Sequence, residues 1–281
     1  MFANVGPFSE PDVALDHARI AEDCGFESIW TVEHTVVPAG YESEYPYDPS
    51  GRMPAGDDLP ITDPLVWLTW VGAQTSTIRL GTAIVILPQR NPITFAKEVA
   101  TLDRLSEGRV LLGVGVGWLE EEFDALGVPF RERGARTDEY IEVMRALWTE
   151  SPASYHGRFF DFDNCYCSPA PAQVRGVPII VGGHSPAAAR RAGRLGDGFF
   201  PGRGAPDVFV PLLDEMRRAA EEHGRDPDAI EITAGGPVDL DGIKRLADLG
   251  VDRVAVPMLG FDRESMLAGY GAFAENIIQK L

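Results

Sequence analysis

The sequence is organised around the stretch Arg109-Val-Leu-Leu-Gly-Val-Gly-Val-Gly-Trp118. Its first half is a run of leucine and valine, which is typical of a buried strand. Its second half alternates glycine with valine, and backbone without side chains at a strand end permits a close approach. The approaching group is either a flat ligand or a neighbouring segment at a tight barrel corner, and this stretch alone leaves both open. The glycines match neither GxGxxG nor GxxxxGK[ST], so neither a Rossmann nor a P-loop nucleotide site is indicated.

Apolar strands followed by helical patterns recur along the rest of the chain. Besides the glycine-rich strand, the predicted strands are residues 1–5, 26–32, 78–87, 177–181, 198–201, 230–234 and 253–258. Strands without polar alternation are buried on both faces, as in a parallel sheet covered by helices. Eight strand–helix units in 281 residues predict one α/β domain, residues 1–281, with the (β/α)8 TIM-barrel architecture. The alternative, an open doubly wound sheet, would normally carry a glycine fingerprint after its first strand.

Residues 154–175 interrupt this alternation with alternating aromatic residues and proline pairs, and are predicted to form a hairpin-like insertion. Cys165 and Cys167 lie here with His156, but no second closely spaced pair accompanies them, so no metal site is predicted.

Charge and composition narrow the choice of partners. The net charge of −18 argues against nucleic acid or an anionic membrane, because no basic stripe could neutralise phosphates. The chain has no basic leader, and no apolar run approaches the ~18 residues of a membrane span. Three cysteines, an odd number, fit reduced thiols. We therefore expect a cytoplasmic protein that acts on a small molecule.

The ends of four predicted strands carry unusual residues. They are Glu33-His34, Thr82-Ala83-Ile84, Val116-Gly117-Trp118 and Gly182-Gly183-His184. Ligands of (β/α)8 barrels bind at the carboxyl ends of the strands. These four groups are therefore predicted to line one mouth.

His34 is a candidate acid, base or hydrogen-bond donor, with a structural histidine as the alternative. Ser185 can cap the helix that starts at Pro186, and its N-terminus would suit an anion, although a plain capped helix fits equally. Trp118 could stack on a planar ring. Trp70 is expected in the core, and His17 at the surface.

A long acidic segment follows the second predicted strand. Between Tyr41 and Asp63 it holds six acids and one base, Arg52. A loop of this length is usually a lid or binding loop, or else disordered. The sequence shows no Ser-His-Asp signature, no paired carboxylates and no HExxH. That absence favours chemistry performed by a bound organic cofactor.

Long motifs carry a resemblance to a known family. Residues 80–92, 96–106, 108–118, 138–148, 178–183 and 192–198 resemble the bacterial luciferase-like monooxygenase superfamily. Within it, the sequence is most similar to the branch that uses the deazaflavin coenzyme F420 as a hydride carrier, whereas other relatives use reduced FMN with oxygen. The resemblance implies a TIM barrel with an insertion, commonly a homodimer. It implies hydride transfer between F420 and a small organic substrate at the barrel mouth, with an FMN-dependent monooxygenase as the alternative.

The resemblance also implies roles for particular residues. His34 corresponds to the histidine beside the reacting face of the deazaflavin, and is the predicted catalytic residue. Ala83-Ile84 matches a non-prolyl cis peptide behind the ring, and the glycine pair before Ser185 would hold the cofactor phosphate. The predicted cofactor-binding residues are Glu33, Thr82, Ala83, Ile84, Val116, Gly117, Trp118, Gly182, Gly183, His184 and Ser185. Trp118 stands where the sugar-phosphate dehydrogenases of this branch carry a catalytic glutamate, which argues against a sugar-phosphate substrate and leaves the proton donor unassigned.

Overall fold

The computed structural model describes residues 3–54, 56–202 and 206–281. Within these ranges, all but two of the strands belong to one sheet. The strands are β1 (Ser28–Thr31), β2 (Arg79–Thr82), β3 (Val85–Ile86), β4 (Val110–Gly115), β5 (Ala153–His156), β6 (Asp161–Cys165), β7 (Ile179–Gly182), β8 (Gly198–Phe200), β9 (Glu231–Gly235) and β10 (Arg253–Ala255).

Helices connect these strands, and local sequence signals start several of them. The helices are α1 (Pro11–Asp23), α2 (Pro64–Gly72), α3 (Pro92–Leu105), α4 (Glu120–Ala125), α5 (Arg133–Thr149), α6 (Pro186–Leu195), α7 (Pro206–Glu222), α8 (Leu240–Asp248) and α9 (Arg263–Asn276). Side chains of Asp63, Asn91 and Ser185 accept hydrogen bonds from first-turn N–H groups of α2, α3 and α6. A proline follows each cap, where its missing N–H would have had no helical partner. None of the described helices is both long and apolar enough to cross a membrane.

Every pairing in the large sheet is parallel. The strand order is β1-β2-β4-β7-β8-β9-β10, and β3 also pairs with β4. The carboxyl ends of these strands therefore meet at one edge of the sheet. β5 and β6 form a separate antiparallel hairpin within the predicted insertion. The predicted α/β class, parallel sheet and hairpin are confirmed.

The described sheet confirms the parallel α/β arrangement but not the full closed barrel, and the difference lies at the first strand. Met1 and Phe2 lie outside the described residues, and residues 3–5 form only a single antiparallel bridge, from Val5 to Ile61. Along the described sheet, no ladder joins β10 back to β1. The predicted strand at residues 78–87 is divided into β2 and β3, with a cis peptide at Ala83-Ile84 between them.

Two predictions of burial are wrong. Trp70 is 51% exposed, because it lies with Val66 on the outer face of α2, while Trp67 faces the core. His17 is fully buried, because α9 packs on α1 and places the Tyr270 hydroxyl 2.7 Å from His17 Nδ1. Burial disfavours the imidazolium and lowers the pKa of His17 to about 3.

Candidate active site

A hydrogen-bonded histidine–carboxylate pair lies at the carboxyl edge of the sheet. His34 follows β1, and Glu122 lies in α4, just after β4. His34 Nδ1 and Glu122 Oε2 are 3.0 Å apart, and the Glu122 side chain is completely buried. The other carboxylate oxygen accepts hydrogen bonds from the backbone N–H groups of Thr35 (2.6 Å) and Val36 (3.2 Å). Glu122 therefore fixes both the His34 ring and the backbone that follows it.

This pairing determines which nitrogen of His34 is available for chemistry. A carboxylate can only accept, so Nδ1 carries the proton shared with Glu122. In the neutral ring Nε2 is then an acceptor, and among the described residues it has no hydrogen-bond partner. The predicted catalytic histidine is thus held in one tautomer with one nitrogen free.

Glu33, which precedes this histidine, is engaged by protein groups. One oxygen accepts the Ile86 N–H, and the other accepts from Arg90, whose Nε lies 2.8 Å away. Arg90 also donates to Asp63, at 2.8 Å. Burial raises the pKa of Glu33, and the Arg90 guanidinium opposes that shift. Glu33 ties the end of β1 to β3, and its contact with a cofactor stays a prediction.

The predicted cis peptide at Ala83-Ile84 is confirmed. Thr82, just before it, donates its hydroxyl hydrogen to the Gly113 carbonyl oxygen, at 2.7 Å. The side chain of Ile84 lies against the glycine-rich strand, since a Cβ added at Gly115 would sit 2.5 Å from it.

At the glycines of β4 and of the neighbouring strand ends, adjacent protein groups leave no room for a side chain. A Cβ at Gly113 would lie 1.8 Å from the Thr82 carbonyl oxygen, and one at Gly182 would lie 2.5 Å from Ile84. At Gly117, where φ is +81°, a Cβ would lie 2.7 Å from Phe123. These distances support tight packing between segments rather than direct approach of a flat ligand to Gly113 and Gly115. Val116 and Gly117 follow β4 at the same edge, and their ligand contacts stay predictions.

The start of α6 forms the second part of the edge. Ser185 caps the helix by accepting from the Ala188 N–H at 3.2 Å, as predicted, and Gly183 donates its N–H to Phe200 O at 3.1 Å. Within the described ranges, the N–H groups of His184, Ser185 and Ala187 have no partner. A helix N-terminus with free N–H groups and a positive dipole end favours an anion.

Trp118 is the third part, and a stretch of the long acidic loop packs on it. We call residues 40–54 the covering segment. The rings of Tyr41 and Tyr45 lie 5.4 and 5.2 Å from the Trp118 ring, and His34 lies 5.7 Å from it on another side. Farther along, the Tyr47 ring lies 4.9 Å from that of His184.

The covering segment is anchored to the first turn of α4. The Glu121 carboxylate accepts hydrogen bonds from the N–H of Glu42 (2.6 Å) and from the N–H and hydroxyl of Ser43 (3.0 and 2.6 Å). The Ser43 hydroxyl bond, followed by the backbone bonds, lowers the pKa of Glu121 to about 2. Glu121 therefore stays ionised at neutral pH.

The structure brings the predicted residues to one edge and adds two that the sequence did not identify. His34, Ala83-Ile84, Trp118 and the start of α6 each follow a parallel strand. Glu121 and Glu122 were not among the candidate site residues of the sequence. Both act across long separations, 88 residues in the case of His34 and Glu122, and no local signal distinguishes them from Glu120.

The hairpin brings His156 together with two aspartates rather than with the cysteines that were considered as metal ligands. His156 lies 2.9 Å from Asp161 and 3.3 Å from Asp163, and all three are exposed. Cys165 is exposed and does not belong to this group. Ion pairing between a histidine and two carboxylates accounts for the arrangement, and we assign no metal to it.

Comparison with known proteins identifies the family of this chain. Residues 4–241 match the luciferase-like monooxygenase family. The chain belongs to this family. An uncharacterised protein from Mycobacterium tuberculosis is 37% identical over 273 residues, which cover 94% of each chain.

Two further proteins that are similar to this chain have named activities. The F420-dependent glucose-6-phosphate dehydrogenase of Kineococcus radiotolerans is 33% identical over 229 residues, which cover 79% of this chain and 62% of that protein. The coenzyme F420-dependent tetrahydromethanopterin reductase of Methanopyrus kandleri superposes with a TM-score of 0.75 at 19% identity, covering 100% of this chain and 97% of that one. At this identity the superposition shows a shared fold.

Proposed function

We propose that this chain is an F420-dependent oxidoreductase that transfers a hydride between coenzyme F420 and a small organic substrate. The observation that carries the proposal is the His34–Glu122 pair, held at 3.0 Å at the same sheet edge as the cis peptide Ala83-Ile84. Two similar proteins, the dehydrogenase of Kineococcus radiotolerans and the reductase of Methanopyrus kandleri, are F420-dependent by name. The substrate would bind at the carboxyl-terminal edge of the sheet, where Trp118 and the covering segment lie.

The residues present fit this cofactor. F420 carries a phosphate, and the free N–H groups of His184, Ser185 and Ala187 at the start of α6 offer an anion site. Ile84, half buried beside β4, offers an apolar surface for the ring. When bound, F420 would supply or accept the hydride. The resemblance implies that Ala83, Val116 and Gly117 would lie near the ring, and Thr82 is also a predicted cofactor-binding residue.

The chain's own groups handle the proton that accompanies the hydride. Glu122 holds the proton on Nδ1 of His34, so Nε2 is the atom that can take a proton from the substrate or, once protonated, return it. Glu122 also stabilises the imidazolium formed in that step, because its carboxylate is buried and ionised groups interact more strongly away from water. Tyr41 and Tyr45 of the covering segment pack on Trp118 at this corner.

A binding titration tests the proposal. Purified protein is titrated with F420 and, separately, with FMN, and fluorescence is recorded. We expect tight binding of F420, weak binding of FMN and weaker F420 binding by Ala187→Pro, which removes a free N–H group. Tyr166→Ala, on the exposed hairpin side, serves as the control. Tight FMN binding with oxygen-consuming turnover would replace the proposal by a monooxygenase, and binding of neither would refute it.

The proposal includes a homodimer. An apolar surface on α2 and α3 exposes Val66 (70%), Trp70 (51%) and Leu105 (73%), beside a groove of about 400 Å³. Lys97 and Glu98 lie in the same groove, so a two-fold related copy can place unlike charges opposite each other. Sedimentation should show a dimer that Val66→Lys with Leu105→Lys dissociates, whereas Val174→Lys, at a 98% exposed position, leaves it intact.

A closed barrel and a cytoplasmic location complete the proposal. Arg253 of β10 donates to Glu27, just before β1, at 2.9 and 3.0 Å, so the two ends of the sheet are neighbours. The Ala3 N–H donates to Trp30 O at 2.7 Å, so the N-terminal residues run beside β1. All three cysteines are free thiols, which suits a reducing compartment.

A further inference from the structure

Six aromatic rings form a continuous band across the candidate active site. In order of contact, His34 lies 5.7 Å from Trp118, Trp118 lies 5.2 Å from Tyr45, Tyr45 lies 5.5 Å from Tyr47, and Tyr47 lies 4.9 Å from His184. Tyr41 joins the band through Trp118, at 5.4 Å. We call these six residues the aromatic band. It spans the edge from the end of β1, past that of β4, to that of β7.

The members of the band differ in solvent exposure. Tyr41 is only 2% exposed, and its hydroxyl oxygen accepts the Met53 N–H at 2.9 Å. Trp118 sits between this fixed tyrosine and His34. Tyr47 is 53% exposed, so part of its side chain is open to solvent. A ligand can therefore reach the band near Tyr47 without displacing buried groups.

The charges around the band are mostly negative. The covering segment contains Glu42, Glu44 and Asp48, and Glu121 stays ionised beneath it. Its one base, Arg52, donates to the Tyr41 carbonyl oxygen and lies 4.7 Å from the Tyr41 ring. Nearby Arg90 is bound by Glu33 and Asp63. In the described part of the chain, no other Lys or Arg contacts a ring of the band.

We propose that the aromatic band binds an uncharged, ring-bearing organic substrate and discriminates against phosphorylated or other multiply anionic ones. Offset or edge-to-face ring contacts favour such a ligand. An anion would meet several carboxylates, whereas Arg52 and Arg90, among the described residues, are already bound by protein groups. This inference rests on the proposed function, since it names the substrate class of the same site. A sugar phosphate would lack the ring contacts.

The test compares a matched pair of probes, 2-naphthol and 2-naphthyl phosphate, with the full-length protein by isothermal titration calorimetry. We expect 2-naphthol to bind at least about tenfold more tightly than its phosphate ester. Trp118→Ala should weaken 2-naphthol binding about tenfold, and Tyr47→Ala, at a half-exposed position, should weaken it a few-fold. Tyr166→Ala is the matched control, because Tyr166 is exposed on the hairpin side and lies outside the band.

Charge is tested separately. Glu44→Gln should strengthen binding of the phosphate ester and leave 2-naphthol unchanged, while Glu98→Gln, on α3, should alter neither. Equal or tighter binding of the phosphate ester, or full retention of 2-naphthol binding in both Trp118→Ala and Tyr47→Ala, overturns the inference. The titrations are repeated with and without F420. Failure of F420 to bind refutes the proposed function. The naphthol comparison in its absence, made with saturating inorganic phosphate to occupy the anion site at the start of α6, still decides the properties of the band.

Discussion

The replacement Glu122→Gln isolates the contribution of the buried carboxylate. The amide can keep its oxygen on the N–H groups of Thr35 and Val36, and its NH2 group then faces Nδ1 of His34. Nδ1 must become an acceptor, so the proton moves to Nε2. Three charge-assisted hydrogen bonds become neutral ones, and at about 1 kcal/mol each the free energy of unfolding should fall by about 3 kcal/mol. Turnover should fall by about 100-fold or more, because the free nitrogen of His34 no longer accepts a proton.

Two measurements check this expectation. Urea unfolding followed by circular dichroism gives the change in stability, and 15N nuclear magnetic resonance of the imidazole reports which nitrogen of His34 carries the proton. The control is Glu120→Gln, on the same turn but exposed, which should leave both readouts unchanged. If Glu122→Gln unfolds within about 0.5 kcal/mol of the parent and His34 keeps its proton on Nδ1, the assigned role of Glu122 is wrong.

Two other predictions concern the interior. Gly113→Ala should lower the free energy of unfolding by more than about 3 kcal/mol, because the new Cβ would lie 1.8 Å from the Thr82 carbonyl oxygen. Gly271→Ala, where the new Cβ meets nothing within 4 Å, should raise it by about 0.5–1 kcal/mol. Equal effects of the two replacements in thermal unfolding would contradict this packing. Burial lowers the pKa of His17 to about 3, so between about pH 3 and 6.5 the unfolded chain binds more protons and stability is lost as pH falls. His17→Gln should reduce that slope in urea titrations by up to about 1.4 kcal/mol per pH unit, and an unchanged slope would show that His17 does not titrate as described.

Start signals carried by adjacent residues were predicted well. Ser185-Pro186 begins α6 as expected, because a cap and a first-turn proline act within one turn of helix. The parallel sheet could also be predicted, because burial on both faces is visible in the apolar residues of each strand. The first strand is the exception, since residues 3–5 make only a bridge to Ile61.

Partners distant in the sequence could not be predicted. His34 was a candidate because it follows a strand, but its bond to Glu122 depends on how α4 packs after β4. His17 resembles a surface residue on α1 until α9 brings Tyr270 against it. Likewise, the glycine pattern indicated a close approach at Gly113, and only the structure shows that the Thr82 carbonyl group makes it.

Two consecutive carboxylates on α4 have a consequence for exchanging parts between relatives. Glu121 binds the backbone of the covering segment, while Glu122 binds His34 and the residues after it. A loop transplanted between residues 40 and 54 thus docks on the same helical turn that orients the histidine. A graft that retains Ser43 and Tyr41 keeps this attachment and can vary the rings at Tyr45 and Tyr47. Changes of specificity can in this way be separated from changes to the proton-handling pair.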